Sequence, residues 1–239
     1  MTMTNNSTNM LRKLLEVIAG FSELVIIRFS PTGMYLQTMD VARTGLVDIR
    51  IPASWFETYK CPSDVDLTTS LVLLVKMLGC IEGGQRAWLQ HTEEKGQRGW
   101  DLELSGGDKT FVKKFKLPMY DLEDDLLTIP EGDPDTDFVM SSARWAKTVD
   151  EVAIFGSVVT VHCGEPGTTL SSQDTTHGVK MSCLIGLEDV DSYDAREGEF
   201  TVLFPIALLQ RASAARHAAC LGPTSTVTVH ITEDRPIDL

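Results

Sequence analysis

Carboxylates are the most abundant ionisable groups in this sequence. Its 239 residues carry 34 Asp and Glu against 21 Lys and Arg, with 5 His and 5 Cys. Paired carboxylates for acid–base work, or carboxylates joined to imidazole or thiolate around a metal, are therefore the first chemistry to consider. The densest cluster, eight carboxylates between Asp121 and Asp137, has no neighbouring His or Cys to complete such a site. No G-x-S-x-G, phosphate-loop, H-E-x-x-H or EF-hand spacing occurs. His162 and Cys163 are adjacent on an expected strand, where successive side chains face opposite ways and cannot share a metal. The reading is of a protein that is not an enzyme and takes no cofactor or metal.

The other chemistry a charged chain can perform is attraction of phosphate. A net charge of −13 argues against nucleic acid at first sight, because phosphate binding depends on Lys and Arg. Placement matters more than the total. Helices expected at residues 10–21, 69–80, 141–154 and 206–219 hold seven basic residues, Arg12, Lys13, Lys76, Arg144, Lys147, Arg211 and Arg216, against three acidic ones, Glu16, Asp150 and Glu151. The helices thus carry +4 and everything else −17, a segregation suited to a protein with one face toward phosphate and the other repelling it.

These helices belong to a duplicated pattern. At a constant offset of 134, Ala19 aligns with Ala153, Phe21 with Phe155, Val25 with Val159, Gly33 with Gly167, Leu36 with Leu170 and Asp40 with Asp174. Each copy reads as a helix, a β-branched strand, a Gly turn and a strand ending in Asp. In the first copy Leu11, Leu14, Leu15 and Ile18 form a helical stripe. Strands are expected at Leu24–Phe29, Met34–Met39, Leu46–Ile51, Ala87–His91, Trp100–Leu104 and Thr110–Leu117, with a second helix at Thr69–Cys80. In the second copy the helices fall near Ser141–Ile154 and Ile206–Ala219. Its strands fall at Val158–Cys163, Thr168–Ser172, Val179–Ile185, Glu199–Leu203 and Ser225–Thr232. The two strands that should follow are absent before Leu239, so either the C-terminus is cut or the second sheet finishes differently.

The fold class is α+β, with two similar domains at 1–118 and 137–239 and a connector at 119–136. Prolines and like charges keep that connector extended, and its apolar Leu126, Leu127 and Ile129 need something to bury them. The odd number of cysteines, without a C-x-x-C pair, suggests small core residues in a reducing compartment. No apolar run reaches the roughly 18 residues of a membrane span, and Met1 to Asn9 lacks the features of a signal peptide. No membrane partner is expected.

Gly33-Met-Tyr-Leu-Gln-Thr-Met-Asp40 is similar to a G-V-x-L-Q-x-M-D hairpin strand, and Phe56-Glu-Thr-Tyr-Lys-Cys61 to an F-x-x-Y-x-C segment. With Leu11–Glu16, Lys76–Cys80, Ile129-Pro-Glu131 and Ser225–Val229, these stretches resemble the eukaryotic-type DNA sliding clamps, the proliferating cell nuclear antigen family, from about residue 11 to 239. The resemblance implies a homotrimeric ring around double-stranded DNA, helices lining the hole and antiparallel sheets outside. Such a ring is a processivity factor, tethering DNA polymerase and other replication and repair proteins after a clamp loader installs it. It implies inward basic residues at Arg12, Lys13, Lys76 and Lys147, extended by helix placement to Arg144, Arg211 and Arg216. It also implies a partner-peptide pocket of Met39, Thr44, Leu46, Leu127, Ile129, Pro130 and Pro236, with Thr44 in place of the usual valine.

The lysines on the edge strand holding Phe111, Lys113 and Phe115 either guard that edge from unwanted pairing or leave it to pair with a neighbouring subunit near Val179 and Met181. Location in the nucleus, or at a site of viral DNA replication, goes with this reading. Three departures suggest a divergent or viral clamp, or a truncated chain. The opening strand is replaced by polar Thr4–Asn9, the closing strands beyond Pro236 are absent, and Glu165 stands where the family carries a modifiable lysine. The rival reading is a checkpoint-type subunit of a heteromeric ring that signals DNA damage.

Overall fold

The computed structural model describes residues 1–40, 45–94, 97–107, 111–122, 133–196, 198–218, 225–233 and 237, and of 94, 97, 98 and 215–218 the backbone alone. The chain divides into two units, Met1–Thr128 and Ile129–Leu239, each with its own core.

The first unit runs β1 (Thr2–Met3), α1 (Asn5–Ile18), β2 (Leu24–Ser30), β3 (Gly33–Met39), β4 (Leu46–Pro52), β5 (Val65–Ser70), α2 (Leu71–Leu78), β6 (Arg86–Glu94), β7 (Gln97–Ser105) and β8 (Lys113–Leu117). Two antiparallel sheets result, ordered β4-β3-β2-β5 and β1-β6-β7-β8. Leu11, Leu15 and Ile18 of α1 and Leu71, Leu74 and Leu78 of α2 are buried in the core that both sheets share.

Two expectations change here. The opening strand is present, because Thr2 and Met3 pair with Trp88 and Ala87 of β6, and Met3 is fully buried. Thr4–Asn9 therefore does not replace a strand; it starts α1. The Thr4 hydroxyl accepts the Ser7 amide at 3.1 Å as an N-cap, and Thr8 and Asn9 satisfy themselves on Thr4 O and Asn5 O one turn back. A stripe of leucines could not reveal these polar turns. Likewise Thr69 and Ser70 end strand β5, and Ser70 caps α2 through the Leu73 amide at 3.4 Å.

The second unit runs β9 (Thr136–Ser141), α3 (Ser142–Ala153), β10 (Val158–Gly164), β11 (Gly167–Gln173), β12 (Lys180–Gly186), β13 (Ser192–Ala195), β14 (Phe200–Pro205), α4 (Ile206–Ala218) and β15 (Thr226–Ile231). Its sheets are ordered β12-β11-β10-β14 and β13-β9-β15. The short strands β9 and β13 are additions to the sequence reading, since acidic and polar residues mask their period-two pattern.

The duplication is in register. β2, β3 and β4 map onto β10, β11 and β12 at an offset of 134, and β5 and α2 begin 135 residues before β14 and α4. Val25 and Val159, Ile27 and Val161, and Leu36 and Leu170 are all buried. Gly33 and Gly167 open β3 and β11 with φ of +149° and +124°, and a Cβ there would lie 2.2 Å from Ile51 O and 2.1 Å from Ile185 O. Among the described residues, the second unit has no counterparts of β7 and β8. In the first unit, the Trp100 indole of β7 donates to Asp66 O and the Tyr120 amide to Thr68 O, covering the β5 edge. Thr68 is 8% exposed, whereas its counterpart Leu203 is 66% exposed.

The cysteines do not all belong to the core. Cys163 is buried, Cys61 and Cys183 are half-buried and Cys80 is exposed, all as free thiols; Cys220 lies outside the described residues.

Candidate nucleic-acid and partner interfaces

Burial of one helix face decides where the cations go. In α1, with Leu11, Leu15 and Ile18 turned inward, Lys13 and Glu16 are exposed and Arg12 is half-buried. Arg12 Nη1 reaches Glu16 Oε2 one turn on, at 3.4 Å. The Arg12 stem lies beside Gly79, where an added Cβ would sit 3.5 Å from Arg12 Cδ, so the residue also seals α1 against the end of α2. Lys76 is exposed on α2. Neither Lys13 nor Lys76 forms an ion pair with a described residue.

The second unit handles its cations differently. Arg144, on the first turn of α3, binds Asp189 at 2.8 Å, and Lys147 pairs with Glu151 at 3.6 Å. Both cations are exposed, so water screens these pairs and a phosphate can compete for them. Arg211 is exposed on α4; the Arg216 side chain lies outside the description. Gln210 of α4 donates to Asp150 of α3 at 3.0 Å, holding the two helices side by side.

Of the expected pocket residues, Met39 and Leu46 face each other as the last cross-strand pair of the β3–β4 hairpin, both half-buried. Thr44, Leu127, Ile129, Pro130 and Pro236 lie outside the described residues. Asp40, the aspartate ending the hairpin motif, closes this end: its carboxylate accepts the Gly45 amide at 2.7 Å and its own amide donates to Gly45 O at 2.9 Å. Asp174, its duplicate, performs the same local task after β11. It accepts the Thr176 amide at 2.7 Å and binds His177 Nδ1 at 2.7 Å, and the His177 contact is the largest influence holding its carboxyl below the usual range. The aspartates signal turn closure, not catalysis.

The second motif also resolves into structure. Phe56 is buried against Trp55 and Tyr59, and the Tyr59 hydroxyl donates to Ser30 O and Gly33 O, each at 2.8 Å. It thereby fastens the β2–β3 turn. Burial is the main cause that pushes the Tyr59 phenol up to about 12.

β8 and β12 are among the eight strands that end a sheet among the described residues. On β8, Lys113 Nζ binds Glu82 Oε1 and Cys80 O, both at 2.6 Å, Phe115 packs on the core, and Lys114 pairs with Glu103 at 3.1 Å. The strand begins later than the alternation suggested, leaving Phe111 and Val112 before it, 69% and 53% exposed. Val179 similarly precedes β12 and is exposed, whereas Met181 packs on the second core. Leu184 on β12 adds an exposed apolar residue that alternation alone hid, because its neighbours Cys183 and Ile185 are also apolar.

Among the described residues, no group of three or more His, Cys, Asp or Glu could hold a metal, and His162 turns to Thr201 at 3.0 Å, away from Cys163. Burial pushes the Cys163 thiol up, away from the thiolate a nucleophile needs. No described helix is long and apolar enough to cross a membrane.

Comparison with known proteins adds three findings. The model of the proliferating cell nuclear antigen N-terminal domain matches residues 2–126. A protein named proliferating cell nuclear antigen from Dictyostelium discoideum is 26% identical over 164 residues, which cover 68% of this chain and 63% of that protein. A protein named probable DNA polymerase sliding clamp 2 from Paramecium bursaria Chlorella virus 1 is 23% identical over 242 residues, covering 98% of this chain and 82% of its own length.

Proposed function

The chain belongs to the proliferating cell nuclear antigen family, and from that membership we propose that it is a DNA sliding clamp. It is a processivity factor that encircles double-stranded DNA without reading sequence and tethers DNA polymerase and other replication and repair proteins. The observation that carries the reading is the charge pattern of the duplicated fold: four helices bear +4 in a chain of net −13. Sliding requires attraction to phosphate that is sparse, weak and independent of bases. Exposed Lys13 and Lys76 provide this, aided by Arg12, Lys147, Arg144, Arg211 and Arg216, while the acidic remainder repels DNA from the outer surface.

A ring needs complementary edges. In this reading three copies close head to tail, the β8 edge of one, with Phe111, Lys113 and Phe115, meeting the β12 edge of the next, with Val179 and Met181. The open sides of both strands support such pairing. Residues 1–118 and 137–239 act as the two clamp domains and 119–136 as the connector. Partners dock a short peptide, with a glutamine and apolar or aromatic anchors, at Met39, Thr44, Leu46, Leu127, Ile129, Pro130 and Pro236. A clamp loader opens the ring, and the work takes place in the nucleus or at a site of viral DNA replication. The chain itself performs no chemistry.

Polymerase synthesis on primed circular DNA, with and without the chain and its matching loader, tests the reading. Product length per binding event should rise severalfold only when both are present. Unchanged product length would count against it.

A further inference from the structure

In the first unit, one buried amide ties the turn between α2 and β6 to the residues just before β8. Gln85 is 1% exposed. Its side-chain nitrogen donates to Phe111 O at 3.0 Å, and its side-chain oxygen accepts the Glu82 amide at 3.0 Å. Glutamine carries a donor and an acceptor at the end of one long side chain, so a single residue satisfies a backbone group on each segment. Glu82 is held from further sides. Its carbonyl accepts the Gln85 amide at 3.1 Å and Asn5 Nδ2 at 2.7 Å, and Lys113 Nζ donates to Glu82 Oε1 and to Cys80 O, both at 2.6 Å.

The consequence lies on the surface. Phe111 and Val112 are 69% and 53% exposed, although apolar side chains gain free energy by leaving water. With the Phe111 carbonyl fixed on Gln85 and the Lys113 ammonium fixed on Glu82, the backbone is anchored on either side of Val112. Two apolar side chains are thereby kept projecting beside an edge strand. A contact ordered before association loses less conformational freedom when its partner arrives. The charges agree with this. Lys113 is paired with Glu82, and Lys114 with Glu103 at 3.1 Å, so neither is left as an uncompensated guard against a second strand. The β12 edge has a matching character, with exposed Val179 before it and exposed Leu184 on it. Because one chain carries both edges, a second copy can supply what the first lacks.

We propose that Gln85 is a positioning residue for subunit assembly. It touches no neighbouring copy; it holds Phe111 and Val112 outward as a preformed contact for the β12 edge of the next one. The proposal rests on the ring closure proposed above.

Sedimentation velocity over a dilution series tests it, with the full chain, its Gln85→Met, Gln85→Glu and Phe111→Ala variants, and the double variant Gln85→Met with Phe111→Ala. Gln85→Met keeps the side-chain length and loses both hydrogen bonds, whereas Gln85→Glu keeps the acceptor and loses the donor to Phe111 O. Each single change should raise the concentration at which half the chains are assembled by about tenfold. The double variant should assemble no more weakly than the weaker of its two single variants, because Gln85 acts through Phe111. A residue that merely stabilises the fold would add its loss to that of Phe111→Ala. Wild-type assembly in folded Gln85→Met or in Phe111→Ala would overturn the proposal, as would additive losses in the double variant. If Gln85→Met does not fold, Gln85→Glu provides the same comparison, alone and combined with Phe111→Ala. A wild-type chain that stays monomeric at every concentration would refute the closure of three copies itself, and this proposal with it.

Discussion

At the residue scale, cations with and without partners make different predictions. Lys13 and Lys76 have no ion pair with a described residue, so Lys13→Glu with Lys76→Glu should cut duplex affinity on the order of tenfold and flatten its salt dependence by about one unit of slope per lysine. Unchanged binding in a titration at several salt concentrations would remove these helices from the DNA path. Arg144 is held by Asp189 at 2.8 Å, so Asp189→Asn should strengthen duplex binding by roughly two- to fivefold as the pair's modest energy is released. Tyr59 tests the turn it fastens: Tyr59→Phe should cost about 1 kcal/mol in a denaturant titration. Because folding raises its pKa to about 12, the proton is held more tightly in the folded chain than in the unfolded one. Its contribution is complete below about pH 10 and is lost as pH rises toward about 12.

At the element scale, the duplication identifies which local features the fold cannot do without. Gly33→Ala and Gly167→Ala each drive a Cβ into the carbonyl of the adjacent strand, at 2.2 and 2.1 Å. Each should lose roughly 2 kcal/mol or more, read as a lower denaturation midpoint. Leu203→Thr, copying Thr68, should leave that midpoint nearly unchanged and reduce aggregation, because Leu203 is 66% exposed. Much of this scale was legible in the sequence. The stripe Leu11, Leu15, Ile18, the β-branched runs of β2 and β10, and the paired glycines each encode a period or a turn that no neighbour disturbs. What stayed hidden depends on tertiary pairing. β1 is two residues long and exists because β6 offers it a ladder. β9 and β13 stack Tyr193 on Phe138, but Asp137, Asp194 and Ser192 interrupt the apolar pattern that would have announced them. The start of α1 is set by Thr4, Thr8 and Asn9 hydrogen bonds, not by apolar spacing.

At the scale of the whole molecule, the proposed ring makes the acidic total and the basic helices two sides of one design, attraction on the helices and repulsion elsewhere. The candidate interfaces were legible to different degrees. Helix cations follow from periodicity, and β8 in part from its alternation, whereas β12 carries a single lysine, Lys180. The ion pair that restrains Arg144 joins residues far apart in sequence, and no local pattern announces it. Ring closure predicts a solution mass near three times 26.4 kDa by light scattering; a monomer that trimerises only with other chains would instead favour the heteromeric, checkpoint-type ring. On the proposed reading the protein holds DNA by surrounding it, which is a topological property. Its most direct test is retention after loading onto a nicked circular duplex, followed by a high-salt wash and cutting of the circle at one site. An encircling clamp should survive the wash on the closed circle and slide off once the DNA is linear. Equal loss from both forms during the wash, or equal retention after cutting, would contradict the account.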